Sequence, residues 1–186
     1  MNKDLSNPYL ELIIGPMFSG KTSKLLQLYK QYSFCNVPVL VINHSFDKRY
    51  HQEKLSTHDK IMIPCLSVNT VLQAMTDENL MKYNVILINE GQFFEDINER
   101  VRELVEKYNK TVYVCGLDGD FKRKKFGNLL ELIPFADNII KLHSLCFCCK
   151  NGTKAPFTSR LTNETEQTVI GSDNYVPLCR SCYLKK

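Results

Sequence analysis

The fold follows from one stretch near the start of the chain, LIIGPMFSGKT at residues 12–22. An apolar run ends at Gly15, and Gly20, Lys21 and Thr22 complete the spacing G-x-x-x-x-G-K-[ST] of a phosphate-binding loop. Glycines let such a loop curl so that successive backbone N–H groups face phosphate oxygens, and the next helix adds its positive N-terminal dipole. In this arrangement Lys21 lies near the β- and γ-phosphates, and the Thr22 hydroxyl ligates Mg²⁺.

The residues on both sides of the loop favour this interpretation over a chance turn. Residues 9–14 are predicted to form a strand, and Leu25, Leu26 and Leu28 give the following segment an apolar helical face. A chance match in a chain of this length is expected about 1% of the time. The predicted nucleotide-binding loop consists of Gly15, Pro16, Met17, Phe18, Ser19, Gly20, Lys21 and Thr22.

The composition is that of an ordinary globular protein. Of the 186 residues, 44% are hydrophobic and 24% are charged, which allows one domain or one domain with a small appendage. The net charge of +4 is too mild to indicate a nucleic-acid partner. No apolar run approaches membrane-spanning length and the N-terminus lacks a signal-peptide pattern, so we expect a cytoplasmic protein without a membrane partner. In that reducing compartment, eight cysteines suggest a metal site.

Strand and helix patterns alternate after the loop. The predicted elements are strands at residues 37–42, 85–88 and 111–115, helices at 67–81 and 96–108, and a polar loop at 43–60. Such alternation predicts an α/β fold with a parallel sheet and helices on both faces. Function then collects at the carboxyl edge of the sheet, where segments end at Gly15, Asn43, Asn89 and Gly116.

Two C-x-x-C pairs mark the last part of the chain. Cys146 with Cys149 and Cys179 with Cys182 are separated by 29 residues, and together they can close a four-thiolate Zn²⁺ site. Such a site has no open position for water, so its predicted role is structural. Cys148 is an alternative ligand and a redox C-x-x-C an alternative role, but the two matched pairs favour zinc.

The chain is predicted to divide near residue 143. The proposed domains are residues 1–142, a P-loop α/β domain, and residues 143–186, a zinc-binding domain. The long connection between the cysteine pairs is predicted to be a functional lid. Cys35, Cys65 and Cys115 lie in apolar stretches and are predicted to be core residues.

One carboxylate follows a predicted buried strand. Residues 85–88 are apolar and are followed by Asn89, Glu90 and Gly91. Glu90 is therefore placed to accept the proton of a substrate hydroxyl at the phosphate site. The alternative is a surface glutamate at a strand end, but the buried strand before it and the glycine after it favour a catalytic base.

Six motifs occur in a fixed order along the chain. They are GPMFSGKT at residues 15–22, DKRY at 47–50, THDK at 57–60, EGQFF at 90–94, LDGDFKRK at 117–124 and the paired cysteines. Together they resemble the thymidine kinases of the cellular and poxviral type, over essentially the whole chain. The chain ends four residues after Cys182, which is more similar to the poxviral members.

The resemblance implies ATP-dependent phosphate transfer to the 5′-hydroxyl of thymidine with Mg²⁺, in a homotetramer inhibited by thymidine triphosphate. By motif, Glu90 corresponds to the catalytic base, and Arg49 is a second catalytic residue. Arg49, Asp47 and Asn89 are implied to lie next to the phosphates and the magnesium ion. A loop from the zinc domain is implied to close over the nucleoside through main-chain groups. The residues matching the nucleoside pocket and that loop are Met17, Phe93, Leu117, Phe121, Phe126, Gln167, Thr168, Val169, Ile170, Gly171 and Tyr175.

The sequence departs from the family pattern at two places. Asn89 stands where the family has an aspartate, so a negative charge beside the magnesium ion is missing; we expect Asp47 and the nucleotide phosphates to hold the ion. The lid turn at residues 170–173 is one residue shorter than usual and lacks the second glycine.

Three alternatives follow from these features. Asn89 leaves open a catalytically impaired homologue that only binds nucleotide. The zinc ribbon and the basic residues 122–125 leave open an ATPase acting on nucleic acid, although no aromatic residues are interleaved with that cluster. A kinase for deoxyuridine or another nucleoside is the third alternative, because one methyl group contributes only about 1–3 kcal/mol to the discrimination between two nucleosides.

Overall fold

The computed structural model describes residues 8–46, 54–56, 62–169 and 171–186. The strands are β1 (Tyr9–Ile14), β2 (Val39–His44), β3 (Lys54–Ser56), β4 (Met62–Pro64), β5 (Leu66–Val68), β6 (Val85–Asn89), β7 (Thr111–Gly116), β8 (Asn138–Lys141), β9 (Ser144–Leu145), β10 (Lys154–Ala155), β11 (Phe157–Arg160) and β12 (Tyr175–Leu178). The helices are α1 (Lys21–Phe34), α2 (Asp77–Lys82), α3 (Ile97–Arg102), which continues as a π-helix (Glu103–Lys107), and α4 (Arg180–Leu184). Short 3₁₀-helices lie at Val71–Ala74, Gly91–Phe93, Leu129–Phe135 and Ser172–Asn174.

The centre of the fold is a six-stranded sheet with the strand order β5-β2-β6-β7-β1-β8. All its neighbouring strands pair in parallel. This confirms the predicted parallel α/β sheet. In a parallel sheet all carboxyl ends meet at one edge, so the loops after β1, β2, β6 and β7 face the same site.

Helices cover both faces of the sheet, as predicted. α1 packs Leu25 and Leu26 against one face, where they meet Ile13 of β1. α3 packs Ile97 and Val101 against the other face. Fully burying an aliphatic side chain of this size stabilises the fold by about 1.5–3 kcal/mol relative to exposure. The predicted helix at residues 96–108 is thus confirmed, with its last turns in the π-helix.

The single helix predicted at residues 67–81 is wrong. This segment contains the end of β5, a 3₁₀-helix and α2. Gln73 Oε1 accepts hydrogen bonds from Asn69 N and Thr70 N, and the Thr76 hydroxyl accepts one from Asn79 N at the start of α2. Because two polar caps start two separate short helices, the apolar periodicity does not produce one continuous helix.

The polar segment 43–60 is only partly a loop. β2 extends to His44, and β3 at Lys54–Ser56 pairs antiparallel with β4. The structure does not describe residues 47–53 and 57–61. The core prediction for Cys35 is wrong, because this residue is exposed just beyond the end of α1, whereas Cys115 is buried as predicted and Cys65 is partly buried.

The last part of the chain forms small two-stranded sheets, β9 with β10 and β11 with β12, followed by α4. Its own apolar cluster includes Ala155, Val176 and Leu178 together with two of the cysteines. The division into domains 1–142 and 143–186 stays a prediction. Within the described residues, no helix has both the length and the apolar character needed to cross a membrane.

Candidate active site

The phosphate loop joins β1 directly to α1. Gly15 has φ +153, and a Cβ there would lie 2.6 Å from the Leu142 carbonyl oxygen. Gly20 has φ +86 and is the N-terminal cap of α1, a left-handed conformation that glycine adopts without strain. Lys21, the first residue of α1, donates a hydrogen bond from Nζ to the Pro16 carbonyl at 2.7 Å. The loop therefore has the curled backbone and the helix N-terminus that bind phosphate.

One cavity brings together most of the predicted site residues. Those that line it are Met17, Phe18, Ser19, Gly20, Lys21, Thr22, Glu90, Phe93, Leu117, Phe121, Phe126, Gln167, Thr168, Val169, Gly171 and Tyr175. Gly15, Pro16 and Asn89 are not part of its lining. Asp47, Arg49 and Ile170 lie outside the described residues. The cavity thus joins the phosphate loop, the ends of β6 and β7, and the segment after β11.

Glu90 lies at the turn from β6 into the 3₁₀-helix Gly91–Phe93. Its backbone is left-handed at φ 54, a conformation that costs a non-glycine residue about 1–3 kcal/mol and is common at functional sites. Gln92 is buried; it donates from Nε2 to Glu90 Oε2 at 2.6 Å and accepts from the Leu117 N–H at 3.0 Å. Gln92 therefore fixes the carboxylate relative to the end of β7. Sequence analysis missed this role, although Gln92 lies inside the EGQFF motif.

Asn89 is buried below Glu90 at the end of β6. It faces Asn43 of β2 in register, and its Nδ2 donates to Asn43 Oδ1 at 2.9 Å. Both side chains are almost inaccessible to solvent. The role of Asn89 toward a magnesium ion stays a prediction.

Aromatic rings form one wall of the cavity. Phe93 lies 5.2 Å from Phe46 and 5.4 Å from Phe126, measured between ring centroids. His44 Nδ1 accepts a hydrogen bond from the Phe46 N–H at 3.0 Å. Burial lowers the pKa of His44, which keeps the ring neutral and able to accept this bond. The sequence prediction missed Phe46 because it lies in the segment interpreted as a polar loop.

Polar contacts connect β11 and the segment after it to the rest of the cavity. Gln167 Nε2 donates to Asp120 Oδ2 at 2.9 Å, and Thr158 Oγ1 accepts from the Met17 N–H at 3.0 Å. Asp120 and Thr158 are both buried. The cavity-lining residues absent from the prediction are Ser23, Phe46, Gln92, Gly119, Asp120 and Thr158.

The four predicted zinc ligands lie together. The sulfur atoms of Cys146, Cys149, Cys179 and Cys182 are all within 4.8 Å of one another. Cys149 Sγ lies 3.7 Å from Cys179 Sγ and 3.5 Å from Cys182 Sγ. Tetrahedral zinc with Zn–S bonds of about 2.3 Å needs S···S distances of about 3.8 Å, so these residues fit Zn²⁺.

The fifth cysteine of this region, Cys148, is exposed and is not in the cluster. Burial opposes ionisation of Cys146, but backbone N–H groups, that of Cys179 foremost, lower its pKa. The neighbouring Cys149 thiol instead raises the pKa of Cys182, because closely spaced thiols oppose one another's ionisation. The position of the four sulfur atoms matches the predicted ligand set.

A phosphate loop at the carboxyl edge of a parallel sheet, with a carboxylate and a ring-lined cavity beside it, defines a P-loop phosphotransferase. The comparisons with known proteins agree. A family model described as thymidine kinase matches residues 8–183. The chain belongs to the thymidine kinase family.

Individual relatives match nearly the whole length of this chain. A thymidine kinase of monkeypox virus is 40% identical over 184 residues, 97% of this chain and 99% of the relative. One from Yaba monkey tumor virus (strain VR587) is 39% identical over 178 residues, 95% of each chain. A thymidine kinase of Oryza sativa subsp. japonica is 38% identical over 180 residues, covering 94% of this chain and 66% of the plant protein.

Proposed function

We propose that this protein transfers the γ-phosphate of ATP to the 5′-hydroxyl of thymidine, giving thymidine monophosphate in the salvage of DNA precursors. The observation that carries the proposal is that Glu90, Lys21 and Thr22 line the same cavity as the aromatic side chains of Phe93 and Phe121. A phosphate-binding element and a hydroxyl-activating carboxylate thus adjoin a surface suited to a flat ring.

The chemistry assigns a role to each of these groups. Glu90 accepts the proton of the 5′-hydroxyl as its oxygen attacks the γ-phosphorus, and ADP leaves with the electrons of the broken P–O bond. The loop N–H groups and Lys21 bind the transferring phosphate and its neighbour. Thr22, and Asp47 by family resemblance, would hold Mg²⁺, which neutralises charge on the β- and γ-phosphates. By the same resemblance, Arg49 assists at the phosphates.

The nucleoside is assigned to the ring-lined side of the cavity. Phe93, Phe121 and Tyr175 supply faces for the pyrimidine, and Leu117, Met17 and Phe126 complete the apolar surface. Main-chain groups of residues 167–171 are assigned to the edge of the base. The partly buried contact between Thr158 and Met17 supports this assignment, because it joins the phosphate loop to β11.

Further properties belong to the proposal. The sequence pattern supports a two-domain chain divided near residue 143, structural Zn²⁺ on the four clustered cysteines and a cytoplasmic location. The family resemblance adds a homotetramer and inhibition by thymidine triphosphate. The zinc assignment is supported by the spacing of the sulfur atoms.

The test is a kinase assay with labelled ATP, Mg²⁺ and a panel of nucleosides that includes thymidine and deoxyuridine. Glu90→Gln keeps the shape of the side chain but removes the base, so we expect kcat to fall by about 10²- to 10⁴-fold. ATP binding, measured by calorimetry, should stay unchanged. Glu95→Gln, at an exposed position in the same segment, is the matched control. Wild-type turnover in Glu90→Gln would show that Glu90 is not the catalytic base.

A nucleotide-binding protein without kinase activity is the second candidate, because Asn89 replaces a family aspartate. Nucleotide binding without transfer to any nucleoside in the same assay would favour it. The nucleic-acid ATPase has less support, because two lysines of its basic cluster have partners. Lys122 Nζ donates to the Thr165 carbonyl, and Lys125 forms an ion pair with Glu131.

A further inference from the structure

Arg160 is a buried charged residue outside the catalytic motifs. It ends β11 and is only 4% exposed. Among the described residues, no carboxylate forms an ion pair with its guanidinium. Burying a charge is costly unless hydrogen bonds or other charges compensate it, so the contacts around Arg160 indicate why the site contains an arginine.

The guanidinium binds the main chain of the segment that follows β11. Nη1 donates to the carbonyl oxygens of Glu164 at 2.8 Å and Glu166 at 2.6 Å. Nη2 donates to the Gln167 carbonyl at 3.1 Å and to the Tyr175 hydroxyl at 2.7 Å. One side chain thereby gathers three carbonyls of residues 161–169, here called the cover segment.

The same guanidinium contacts aromatic rings of the cavity. Its central carbon lies 3.7 Å from the centroid of the Phe121 ring and 5.2 Å from that of Tyr175. Cation–π attraction of this kind strengthens when the cation is desolvated. Phe121 and Tyr175 both line the cavity. Arg160 therefore connects the cover segment to two rings of the cavity wall.

We propose that Arg160 is a positioning residue, which holds the main chain of the cover segment at the distance where it can contact the nucleoside. This proposal rests on the proposed function of the cavity. The cover segment contributes Gln167, Thr168 and Val169 to the cavity lining. The Tyr175 hydroxyl that Arg160 binds also accepts from the Val169 N–H at 3.3 Å. The main-chain groups assigned to the base edge are thus held by a network centred on Arg160.

The geometry distinguishes arginine from lysine. A planar guanidinium can bind several carbonyls in its plane and at the same time stack its face on a ring, whereas an ammonium group offers no flat face. We expect Arg160→Lys to keep the positive charge but to restore only part of the function. Arg160→Gln removes the charge as well.

The first experiment is steady-state kinetics on wild type, Arg160→Lys and Arg160→Gln. For Arg160→Gln we expect the KM for thymidine to rise by about tenfold or more, with Arg160→Lys intermediate and the KM for ATP within about twofold of wild type. Arg102→Gln is the matched control. Arg102 ends α3; it also stacks on a ring, Phe135 at 4.0 Å, and pairs with Glu106, and neither of these partners belongs to the cover segment.

The second experiment does not depend on activity. A glutamate-specific endoprotease cleaves after Glu164 and Glu166, whose side chains are exposed and whose carbonyls Arg160 holds. We expect cleavage at these two bonds, followed by mass spectrometry, to be at least about tenfold faster in Arg160→Gln than in wild type. Arg102→Gln should be cleaved at the wild-type rate.

The outcomes separate the two proposals. If the wild type phosphorylates no thymidine, the proposed function fails, and the cleavage rates still decide whether Arg160 holds the cover segment. If the wild type is active but both Arg160 variants keep its thymidine KM and its cleavage rates, the positioning role is wrong. A lowered melting temperature with an unchanged thymidine KM would show a merely structural role. Should Arg160→Gln fail to fold, Arg160→Lys decides.

Discussion

At the scale of single residues, the pair Asn43 and Asn89 shows how the buried amide of Asn89 is hydrogen-bonded next to Glu90, the proposed catalytic base. Asn89 donates to Asn43 across neighbouring strands, and both are buried. A buried carboxylate at position 89 could not donate this bond, so Asn43 would have to reverse its amide and donate instead. The exchange is possible because an amide carries both a donor and an acceptor.

Asn89→Asp tests what the missing charge does. Two unit charges about 4 Å apart attract each other by about 4 kcal/mol at an effective dielectric of 20, and a carboxylate attracts a divalent ion about twice as strongly, before reorganisation. We therefore expect the Mg²⁺ concentration for half-maximal activity to fall, or turnover to rise. The measurement is a Mg²⁺ titration of the kinase rate at saturating ATP and thymidine.

The matched control for this charge is Asn109→Asp. Asn109 is exposed and precedes β7, at the edge of the sheet opposite the phosphate loop. The Asn109→Asp substitution adds the same charge far from the site and should leave the Mg²⁺ titration unchanged. If Asn89→Asp also leaves both the titration and turnover unchanged, residue 89 does not act on the ion.

At the scale of elements, α4 connects the cysteine cluster to the nucleoside side of the cavity. Cys182 and Tyr183 are neighbours on this helix, and the Tyr183 hydroxyl donates to the Phe121 carbonyl at 2.5 Å. Arg123 covers the Tyr183 ring, with its central carbon 4.5 Å from the ring centroid. Phe121 is therefore held from one side by α4 and from the other by Arg160.

Tyr183→Phe removes only the hydroxyl of this connection. A typical hydrogen bond contributes about 0.5–1.5 kcal/mol, so we expect the KM for thymidine to rise about two- to tenfold while the KM for ATP stays unchanged. Steady-state kinetics with each substrate varied in turn checks this. Tyr108→Phe, between the π-helix and β7, is the control. Equal KM values for thymidine in Tyr183→Phe and wild type would contradict the role of α4.

Local patterns predicted the elements that depend on local chemistry. β1, the phosphate loop and α1 have the predicted positions because glycines, a buried strand and an apolar helical face coincide there. The cysteine cluster was also predicted correctly, because the C-x-x-C spacing is itself a local pattern. The helix predicted at residues 67–81 was wrong, because apolar periodicity carries no information about the capping bonds that divide the segment.

The residues missed at the site depend on contacts between distant parts of the chain. Asp120 meets Gln167, and Thr158 meets the Met17 N–H, 141 positions away in the sequence. Thr158 stands in no spacing that indicates a ligand. Asp120 lies inside the LDGDFKRK motif, but its contact with Gln167 depends on the fold. Arg160 was missed for the same reason, because the carbonyl groups of the cover segment reach its guanidinium only in the folded chain. The sequence therefore indicated the candidate reacting groups Lys21, Thr22 and Glu90, which line the cavity, but not the buried groups that contact its lining.

At the scale of the whole molecule, the cysteine cluster closes the base of the excursion that contains the cover segment. Cys146 and Cys149 precede this excursion, and Cys179 and Cys182 follow it. Apart from the bond between the Met17 N–H and Thr158, the phosphate loop is supported by the central sheet and by α1, whose apolar cluster contains none of these four cysteines. Removing the proposed zinc ion should therefore affect the nucleoside side of the cavity before the nucleotide side.

Cys149→Ser and Cys148→Ser form a matched pair for this prediction. Cys149 Sγ lies within 3.7 Å of two other sulfur atoms, whereas its neighbour Cys148 is exposed and outside the cluster. Structural zinc sites have apparent binding free energies of about 10 kcal/mol or more, so losing one thiolate should lower both the zinc content and the melting temperature. We expect the thymidine KM of Cys149→Ser to rise more than its ATP dissociation constant. Cys148→Ser should match wild type in zinc content, melting temperature and kinetics, and equal damage by both substitutions would contradict the assigned ligand set.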